Sequence, residues 1–372
     1  MLFLNYIGSK LSLIDFLVSI IEQKTKLSGN KNIVFADLFA GTGVVGKTFR
    51  DKGYSVISND IQYYSYVLNK HNIENSSKID KCIIDKLNNL KGEKGFIYNN
   101  YCMGSGSNRN YFSDLNGQKC DAIRRKIEEM YKNKEISENI YFSLLASLIN
   151  SIDKYANTAS VYGAFLKELK KSAEKSFVLE ALPVSNGPKG KVYNKSANDL
   201  IKKISGNILY LDPPYNSRQY CSNYHILETI ARNDNPKLKG KTGLRENDSK
   251  QKSNFCSKKT VYNSLKEIIE KAKFEWVFLS YNNEGLLTLD EIKEIMEEYG
   301  DYSLYTKEYK RFKADRDENR NHKSSVTTEY LHCLHKNSST SLEAELSIFL
   351  VEIPVHKATY MPCINTMSFC LS

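Results

Sequence analysis

The chain has 372 residues, of which 41% are hydrophobic and 26% charged, so it is long enough for one large domain with insertions or for two domains. It contains no run of about 18 apolar residues, and Lys10 and Asp15 interrupt the apolar N-terminal stretch. This excludes a membrane span and a signal peptide and favours a cytoplasmic protein. The formal net charge is +10, with the basic excess concentrated in residues 232–259.

Two strands and two helices alternate near the start of the chain. Residues 33–39 form a short apolar run that predicts a strand, and 44–52 predict a helix. Residues 54–58 predict a second strand, and another helical pattern begins near Gln62. This order is typical of the opening of a doubly wound α/β sheet.

A long insertion separates the second predicted strand from the third. The intervening segment has about 150 residues, far more than a crossover between parallel strands needs. Helical periodicity extends through 121–132 and 139–153, whereas 98–117 is rich in Gly, Asn, Ser and Tyr. We therefore predict an inserted, mainly helical region over residues 98–190.

The remaining predicted strands complete the sheet. Residues 207–211 and 276–280 are largely apolar, as expected for parallel strands that are buried on both faces. Residues 303–309 and 329–334 predict a final pair of strands. The fold class that these elements predict is α/β, with a doubly wound, mostly parallel, Rossmann-like sheet.

Residues 232–259 carry nine Lys or Arg against three Asp or Glu, together with Pro236, Gly240 and Gly243. This composition predicts a flexible basic loop rather than a helix face. Basic loops are often plain solvated surface. Beside a motif for nucleotide chemistry, however, contact with phosphates is the better explanation.

The last 36 residues, 337–372, differ in composition from the rest of the chain. They hold one of the 53 basic residues, Lys357, and the preceding 336 residues hold the other 52. The shift predicts a boundary at residue 337.

A metal or redox site is not predicted. The eight cysteines include no Cys-x-x-Cys pair. His332, Cys333 and His335 are close together, but they lie in an apolar segment, 330–335, that predicts a strand, where alternate residues face opposite ways. Packing explains these residues better than metal binding does.

The first predicted strand ends in a glycine-rich turn that suits a nucleotide or adenosine ligand. Asp37 is followed by Gly41 and Gly43, which let the backbone turn tightly and approach a ligand. With Gly46 the turn also fits the pattern G-x-G-x-x-G, and Asp60 lies 19 residues after Gly41, where a ribose-binding carboxylate is expected. These features alone leave open a nicotinamide dehydrogenase, another adenosine-binding enzyme, or a turn without a ligand.

The charge of Asp37 favours S-adenosylmethionine among these ligands. An acid directly before the glycines would repel a pyrophosphate placed at the N-terminus of the following helix. The amino group and the sulfonium of S-adenosylmethionine are cationic, and a carboxylate attracts them.

The third predicted strand leads directly into Asp212, Pro213, Pro214 and Tyr215. The two prolines fix φ and bias Asp212 to an extended conformation, so the strand ends in a stiff loop. This loop lies at the carboxyl edge of the sheet, where open α/β folds bind ligands. The alternative, an incidental Pro-Pro turn, is disfavoured by four specified residues directly after an apolar strand.

This loop suits methyl transfer to an exocyclic amine of a purine, whose lone pair is delocalised into the ring. Hydrogen bonds from the amine to the Asp212 carboxylate and the Pro213 carbonyl would favour a tetrahedral nitrogen with its lone pair directed at the methyl group. Tyr215 offers a flat face on which an extruded base can stack.

Together these residues resemble the adenine-specific DNA methyltransferases of restriction-modification systems, in the α group or D12 class that includes the Dam methylases. Residues 5–10 are similar to the family's N-terminal motif, 37–43 to its glycine-rich motif and 212–215 to its catalytic tetrapeptide. The order of the motifs, with a long insertion before the tetrapeptide, is that of the α group.

The resemblance implies S-adenosylmethionine as methyl donor and N6 of a flipped adenine in double-stranded DNA as acceptor. It divides the chain into a cofactor-binding part (1–97), a helical target-recognition insertion (98–190), a catalytic part (191–336) and an extension of unknown role (337–372). It also implies a cognate restriction endonuclease and association with the nucleoid through DNA. The cofactor-binding residues that it implies are Tyr6, Lys10, Asp37, Phe39, Gly41, Gly43, Asp60, Asp199 and Asp212.

Basic and aromatic residues near these motifs are candidates for DNA contacts, because Arg and Lys bind phosphates and read base edges. In addition, residues 310–323 are predicted to form a hairpin over DNA. The individual candidates are Arg109, Arg124, Arg218, Tyr220, Lys241, Arg245, Lys310 and Arg311.

Three alternatives remain at this level. Cytosine-N4 methyltransferases also methylate an exocyclic amine with a delocalised lone pair, but they usually carry Ser where this chain has Asp212. RNA or protein-amide methyltransferases would be favoured by Asn at that position. A module of a different class would bind S-adenosylmethionine and DNA without turnover, and the intact tetrapeptide argues against it.

Overall fold

A computed structural model of the chain describes residues 6, 9–30, 32–159, 161–246, 251–310 and 326–337. The main sheet contains β1 (Val34–Asp37), β2 (Ser55–Asn59), β3 (Lys191–Tyr193), β4 (Ser205–Leu211), β7 (Lys273–Asn282), β8 (Gly300–Lys310) and β9 (Val326–Lys336). A separate hairpin pairs β5 (Leu238–Lys239) with β6 (Leu244–Arg245).

Helices cover both faces of the sheet and form most of the insertion. Short 3-10 turns occur at Lys10–Leu13, Met103–Ser105 and Asn254–Cys256, and a π turn at Lys70–Glu74. The α-helices are α1 (Ile14–Thr25), α2 (Val44–Asp51), α3 (Tyr63–Asn69), α4 (Lys81–Asn88), α5 (Phe96–Tyr101), α6 (Asp114–Lys132), α7 (Glu138–Asp153), α8 (Lys171–Glu174), α9 (Ala197–Ile201), α10 (Tyr220–Asn223), α11 (His225–Arg232), α12 (Val261–Lys271) and α13 (Leu289–Glu297). Among the described residues, no helix is long and apolar enough to cross a membrane.

The strand order is β3-β2-β1-β4-β7-β9-β8. The first five strands in this order are parallel, whereas β9 is antiparallel to both of its neighbours. The predicted doubly wound, mostly parallel sheet is thus confirmed. The chain winds outward from β1 in one direction and from β4 in the other, so a crevice is expected at the carboxyl ends of these two strands.

Strand β4 shows why its sequence is continuously apolar. Ile208 and Tyr210 pack into the cluster on one face of the sheet, and Leu209 and Leu211 into the cluster on the other. Because successive side chains of a strand alternate, a strand covered on both sides needs apolar residues at every position. The loop that follows β4 therefore begins from a rigid support.

The inserted helices share a hydrophobic cluster with helices of the sheet. Ile149 and Ile152 of α7 pack in one cluster with Val67 of α3 and Leu227 of α11. Met1–Lys336 accordingly forms one compact unit, and the second unit, Asn337–Ser372, lies outside the described residues except for Asn337.

Helix α6 begins at Asp114, seven residues before the predicted start at 121. The side chain of Ser113 caps it by accepting a hydrogen bond from the backbone N–H of Asn116. Gly117 within the helix weakens the sequence signal, but a Cβ there would lie 2.3 Å from Sγ of Cys102. Close packing of this helix on the preceding segment thus requires Gly117, and the same glycine lowers the helical propensity of the sequence.

The prediction that 232–259 form a flexible loop is wrong for its described part. The segment contains the β5–β6 hairpin, and the carbonyls of its tip accept hydrogen bonds from the insertion: Tyr101 to Gly243 and Tyr111 to Thr242. Residues 247–250 lie outside the described residues. The hairpin is held by side chains more than 130 positions away in sequence, which local composition cannot reveal.

Candidate active site

One cavity of about 1260 Å³ lies at the carboxyl ends of β1, β2 and β4. Its lining includes Asp37 at the end of β1, Asp60 after β2, and Asp212 and Pro214 after β4. Because these strands are parallel neighbours, their ends meet at one edge of the sheet. The structure therefore brings together the glycine-rich turn and the Asp-Pro-Pro-Tyr loop, which are about 170 residues apart in sequence.

The glycine-rich turn connects β1 to α2 in a conformation that L side chains rarely adopt. Gly41 and Gly43 have φ values of 51° and 79°. A Cβ on Gly43 would also lie 2.6 Å from Oδ1 of Asn69, which itself donates from Nδ2 to the carbonyl of Gly41. The turn thus needs glycine both for its backbone angles and for its packing.

Asp37 is a buried acceptor without a hydrogen-bond partner at Oδ1 among the described residues. Burial, with the charge of Asp212 as the next cause, raises its pKa well above the usual value. A buried, unpartnered carboxylate oxygen that lines a cavity fits a cationic donor. The amino group of S-adenosylmethionine has this character, so the site fits the expected cofactor.

Asp60 ties two backbone segments together at the edge of the cavity. Its Oδ2 accepts from the N–H of Gly41 at 2.9 Å, and its Oδ1 accepts from the N–H of Gln62 at 2.8 Å. Burial raises its pKa to about 6, against the lowering effect of these two hydrogen bonds. Ribose binding by Asp60 remains a prediction, to which the structure adds a role in shaping the turn.

Asp212 belongs to a network that contains one ammonium group and a second carboxylate. Its Oδ1 is 3.1 Å from Nζ of Lys10 and accepts a 2.6 Å hydrogen bond from the hydroxyl of Tyr215. Oε1 of Glu329 on β9 is 2.7 Å from Nζ of Lys10 and 3.0 Å from the same hydroxyl. Nζ of Lys10 also contacts the Tyr215 hydroxyl.

Burial and the neighbouring opposite charges shift the pKa values of Lys10 and Asp212 in opposite directions. Burial alone would lower the pKa of Lys10, but the carboxylates of Asp212 and Glu329 raise it. Burial raises the pKa of Asp212 to about 6, although Lys10 lowers it. Lys10 is therefore a stable cation, whereas Asp212 changes its ionisation close to neutral pH.

Tyr215 points its hydroxyl at Asp212 and packs its ring against Tyr281, in an edge-on contact with a centroid distance of 5.1 Å. Nζ of Lys10 lies 4.7 Å from the centroid of the same ring. The neighbouring Pro213 is buried. Base stacking on Tyr215 remains a prediction.

Gly41 and four further residues implied by the resemblance also line the cavity. Tyr6 stacks on Tyr224 with a centroid distance of 4.7 Å, and Phe39 meets Phe255 edge-on at 4.9 Å. Lys10 lines the cavity from the start of the 3-10 turn, and Asp199 is exposed there. Of the N-terminal motif, residues 5, 7 and 8 lie outside the described part of the chain.

Among the predicted DNA contacts, Arg218 and Lys241 are exposed, and Tyr220 lines the cavity. Arg311, the side chain of Lys310 and the predicted hairpin over 310–323 beyond β8 lie outside the described residues. Contacts of all these residues with DNA remain predictions.

Three further arginines expected to contact DNA make internal hydrogen bonds: Arg124 and Arg245 are buried, which corrects the expectation for them, whereas Arg109 is only partly buried and its contact with DNA remains a prediction. Arg124 is buried and donates to the carbonyls of Ile230 and Ala231. Arg245 is buried and paired with Asp234. The guanidinium of Arg109 donates to the carbonyls of residues 100, 240 and 241. Long-range packing supplies their acceptors, which are backbone carbonyls for Arg109 and Arg124 and the side chains of Thr229 and Asp234 for Arg245.

Two buried acids at the site escaped the sequence analysis. Glu329 contacts the tetrapeptide, and its only sequence signal is that it is the one acid in its strand. Glu228 accepts from the first N–H groups of α3, those of Tyr63 and Tyr64, and from Nε2 of Gln251. It therefore connects the segment after β6 to the helix that follows Asp60.

Comparison with known proteins agrees with this geometry. Residues 6–312 match the family described as D12 class N6 adenine-specific DNA methyltransferase. The chain is 52% identical to Type II methyltransferase M.NlaIII of Neisseria lactamica, covering 90% of this chain and 99% of that protein. It is 37% identical to M.CviAII of Paramecium bursaria Chlorella virus 1, covering 84% and 93%. It is 38% identical to M.FokI of Planomicrobium okeanokoites, covering 95% of this chain but 56% of that protein.

Proposed function

Because the chain belongs to the D12 class of N6 adenine-specific DNA methyltransferases, which use S-adenosylmethionine, we propose that it methylates adenine at one specific sequence in duplex DNA after flipping the base. The observation that carries the proposal is the meeting of Asp37, Asp60 and Asp212 around one cavity. The proposed binding site of the methyl donor, lined by Asp37 and Asp60, and the tetrapeptide that begins at Asp212 thus line the same cavity.

The cofactor is held by groups whose chemistry matches its parts. The unpartnered oxygen of Asp37 accepts from the amino group, and Asp60 accepts from the ribose hydroxyls. Asp199, exposed at the cavity, faces the adenine end, as the family resemblance implies. S-adenosylmethionine supplies an electrophilic methyl group.

Asp212 activates the acceptor amine. The contacts of its carboxylate with Lys10 and Tyr215 are both made through Oδ1, so Oδ2 accepts an N–H of adenine N6. The Pro213 carbonyl accepts the second N–H. Two acceptors on the amine favour a tetrahedral nitrogen, which aims its lone pair at the methyl carbon and places the carboxylate where positive charge develops.

The β5–β6 hairpin supplies phosphate contacts beside the cavity. Lys237, Lys239 and Lys241 are exposed at alternate positions, and Lys237 also lines the cavity. Lys239 lies on β5, Lys237 directly before it and Lys241 in the turn after it, so three exposed ammonium groups are concentrated on this one hairpin. Arg218 after the tetrapeptide adds a further exposed cation.

The named relatives support the biological setting that we propose. M.NlaIII, M.FokI and M.CviAII are Type II methyltransferases. This chain acts as the modification enzyme of a restriction-modification system, on nucleoid DNA in the cytoplasm. Its partner is a cognate restriction endonuclease that cuts the same unmethylated sequence.

Replacing the catalytic carboxylate tests the proposal. Asp212→Ala is expected to abolish transfer of labelled methyl groups to DNA, because the amine then loses the acceptor that aims its lone pair. Binding of S-adenosylmethionine, measured by calorimetry, is expected to persist. The matched control is Asp301→Ala, an exposed carboxylate on β8.

Nucleoside analysis of the product identifies the base. N6-methyladenine from the wild type and none from Asp212→Ala would support the proposal. Methylcytosine as the sole product, or full activity of Asp212→Ala, would contradict it.

A further inference from the structure

Glu329 lies against the catalytic tetrapeptide, although it belongs to none of the motifs recognised in the sequence. It is fully buried near the start of β9, opposite Asn282 of β7. Its Oε1 accepts a hydrogen bond from Nζ of Lys10 and shares the single proton of the Tyr215 hydroxyl with Oδ1 of Asp212. The last strands of the sheet thus reach the catalytic centre through this side chain.

Two carboxylates therefore share one ammonium and one hydroxyl. Lys10 and Tyr215 each contact both Oδ1 of Asp212 and Oε1 of Glu329. With the acids and the lysine ionised, the cluster carries one net negative charge. Without Glu329 it would be neutral.

A second buried carboxylate needs a reason, because burying a charge is unfavourable unless it is well paired. Asp212 alone could neutralise Lys10, and a neutral amide could accept the hydrogen bond from Tyr215. What Glu329 adds is the extra negative charge and a rigid attachment to the sheet.

We propose that Glu329 is a positioning residue for methyl transfer: with Lys10 it fixes the Tyr215 hydroxyl and Oδ1 of Asp212, and it keeps the cluster negative where the substrate amine becomes positive. The proposal rests on the function proposed above.

The charges that develop during methyl transfer explain why a negative cluster at this position would be useful. The amine nitrogen bonds to the methyl carbon as the carbon–sulfur bond breaks, with that bond's electron pair remaining on sulfur. The nitrogen is positively charged until one of its protons passes to the Asp212 carboxylate and from there to water. A negative cluster stabilises that positive charge, and a fixed Asp212 is ready to take the proton.

The proton affinity of Asp212 depends on every charged and titratable group that acts on it. Burial raises its pKa to about 6; Lys10 lowers the pKa, Glu329 raises it, and the Tyr215 hydrogen bond lowers it. The other titratable groups that interact electrostatically with it are Asp37, Tyr210 and Tyr220. Loss of the Glu329 charge therefore makes Asp212 a weaker base.

The test compares Glu329→Gln with Glu308→Gln, which removes an exposed carboxylate from β8. The readout is the single-turnover rate of N6-methyladenine formation at saturating S-adenosylmethionine, from pH 5 to 8. For Glu329→Gln we expect a rate at least about tenfold lower. We also expect the acidic limb of its pH profile to move down by about one pH unit, because a like charge has been removed. Glu308→Gln should behave as the wild type does.

Two further variants cover the case in which Glu329→Gln does not fold. Glu329→Asp keeps the charge but shortens its reach, so its rate should fall while its acidic limb stays in place. Tyr215→Phe removes the shared hydroxyl, so Glu329→Asp should cost less rate in that background than in the wild type.

The outcomes separate this proposal from the proposed function. An active wild type with a Glu329→Gln rate and limb like those of Glu308→Gln would overturn the role of Glu329 alone. Rate losses that simply add in the Tyr215→Phe background would also overturn it. A wild type that forms no N6-methyladenine would overturn both.

Discussion

At the residue scale, the site depends on carboxylates whose pKa values have been moved by burial. Asp60 and Asp212 both titrate at about 6. In their proposed roles, Asp60 toward the cofactor ribose and Asp212 toward the amine, both act as ionised carboxylates, which are stronger acceptors than the protonated acids. Each pKa is raised, so the ionised form is present above pH 6 and is lost as the pH falls through it.

The pH profile should separate these two groups. At saturating S-adenosylmethionine only the Asp212 ionisation limits the rate, so log kcat should fall with a slope of one below pH 6. The value of kcat/KM for the cofactor reports the free enzyme, where Asp60 and Asp37, whose pKa is also raised, matter as well, so its slope should exceed one. Initial rates from pH 5 to 8 provide the measurement, and rates that stay constant down to pH 5 would be inconsistent with these assignments.

At the element scale, the β5–β6 hairpin depends on the insertion for its position. Carbonyls from residues 240 to 243 accept hydrogen bonds from Tyr101, Arg109 and Tyr111. A Cβ on Gly243 would lie 2.7 Å from Nε of Arg109, so the two surfaces are closely fitted. We therefore predict that the insertion affects DNA binding partly by holding the hairpin that carries the lysines.

Arg109→Ala tests this dependence. Loss of the guanidinium removes the two hydrogen bonds by which Arg109 docks the hairpin, and we expect DNA affinity to fall by about tenfold, the equivalent of one net hydrogen bond. Fluorescence anisotropy with duplex DNA at fixed salt provides the measurement.

Arg125→Ala is the matched control, because Arg125 is an exposed arginine on α6 that pairs with Glu93. Both variants lose one positive charge, so the difference between them reports docking. Equal losses of affinity would show that Arg109 contributes charge alone.

At this scale, the sequence predicts the features that depend on neighbouring residues and fails for those that depend on residues far apart in the chain. The strand 207–211 and its tetrapeptide were predicted because continuous apolarity and two prolines are local features. The hairpin, the packing roles of Arg109, Arg124 and Arg245, and the contacts of Glu329 all arise from residues far apart in the chain. The residues adjacent to an arginine in sequence do not show whether its side chain is surrounded by internal acceptors or faces solvent.

At the scale of the whole molecule, the net charge of +10 has a measurable consequence. Each phosphate neutralised on duplex DNA releases counterions, so the logarithm of the association constant falls with the logarithm of salt concentration at about −0.9 per phosphate. Replacing Lys237, Lys239 and Lys241 with Gln should make this slope less steep by about three. Anisotropy titrations over a range of salt concentrations check this prediction.

A control of equal charge comes from α4 and the segment after it, where three lysines are exposed. An unchanged slope is expected when glutamine replaces Lys81, Lys86 and Lys91. If this control reduces the slope as much as the hairpin variant does, DNA binding depends on total charge, and the predicted phosphate contacts of the hairpin are contradicted.

The most direct test of the account maps methylation in DNA from a host that lacks adenine methylation and expresses this chain. We predict N6-methyladenine at every copy of one short sequence motif, and none when the expressed chain carries Asp212→Ala. Genomic DNA without N6-methyladenine, or with cytosine as the modified base, would contradict the assignment of Asp212 to Tyr215 as the centre for adenine methylation.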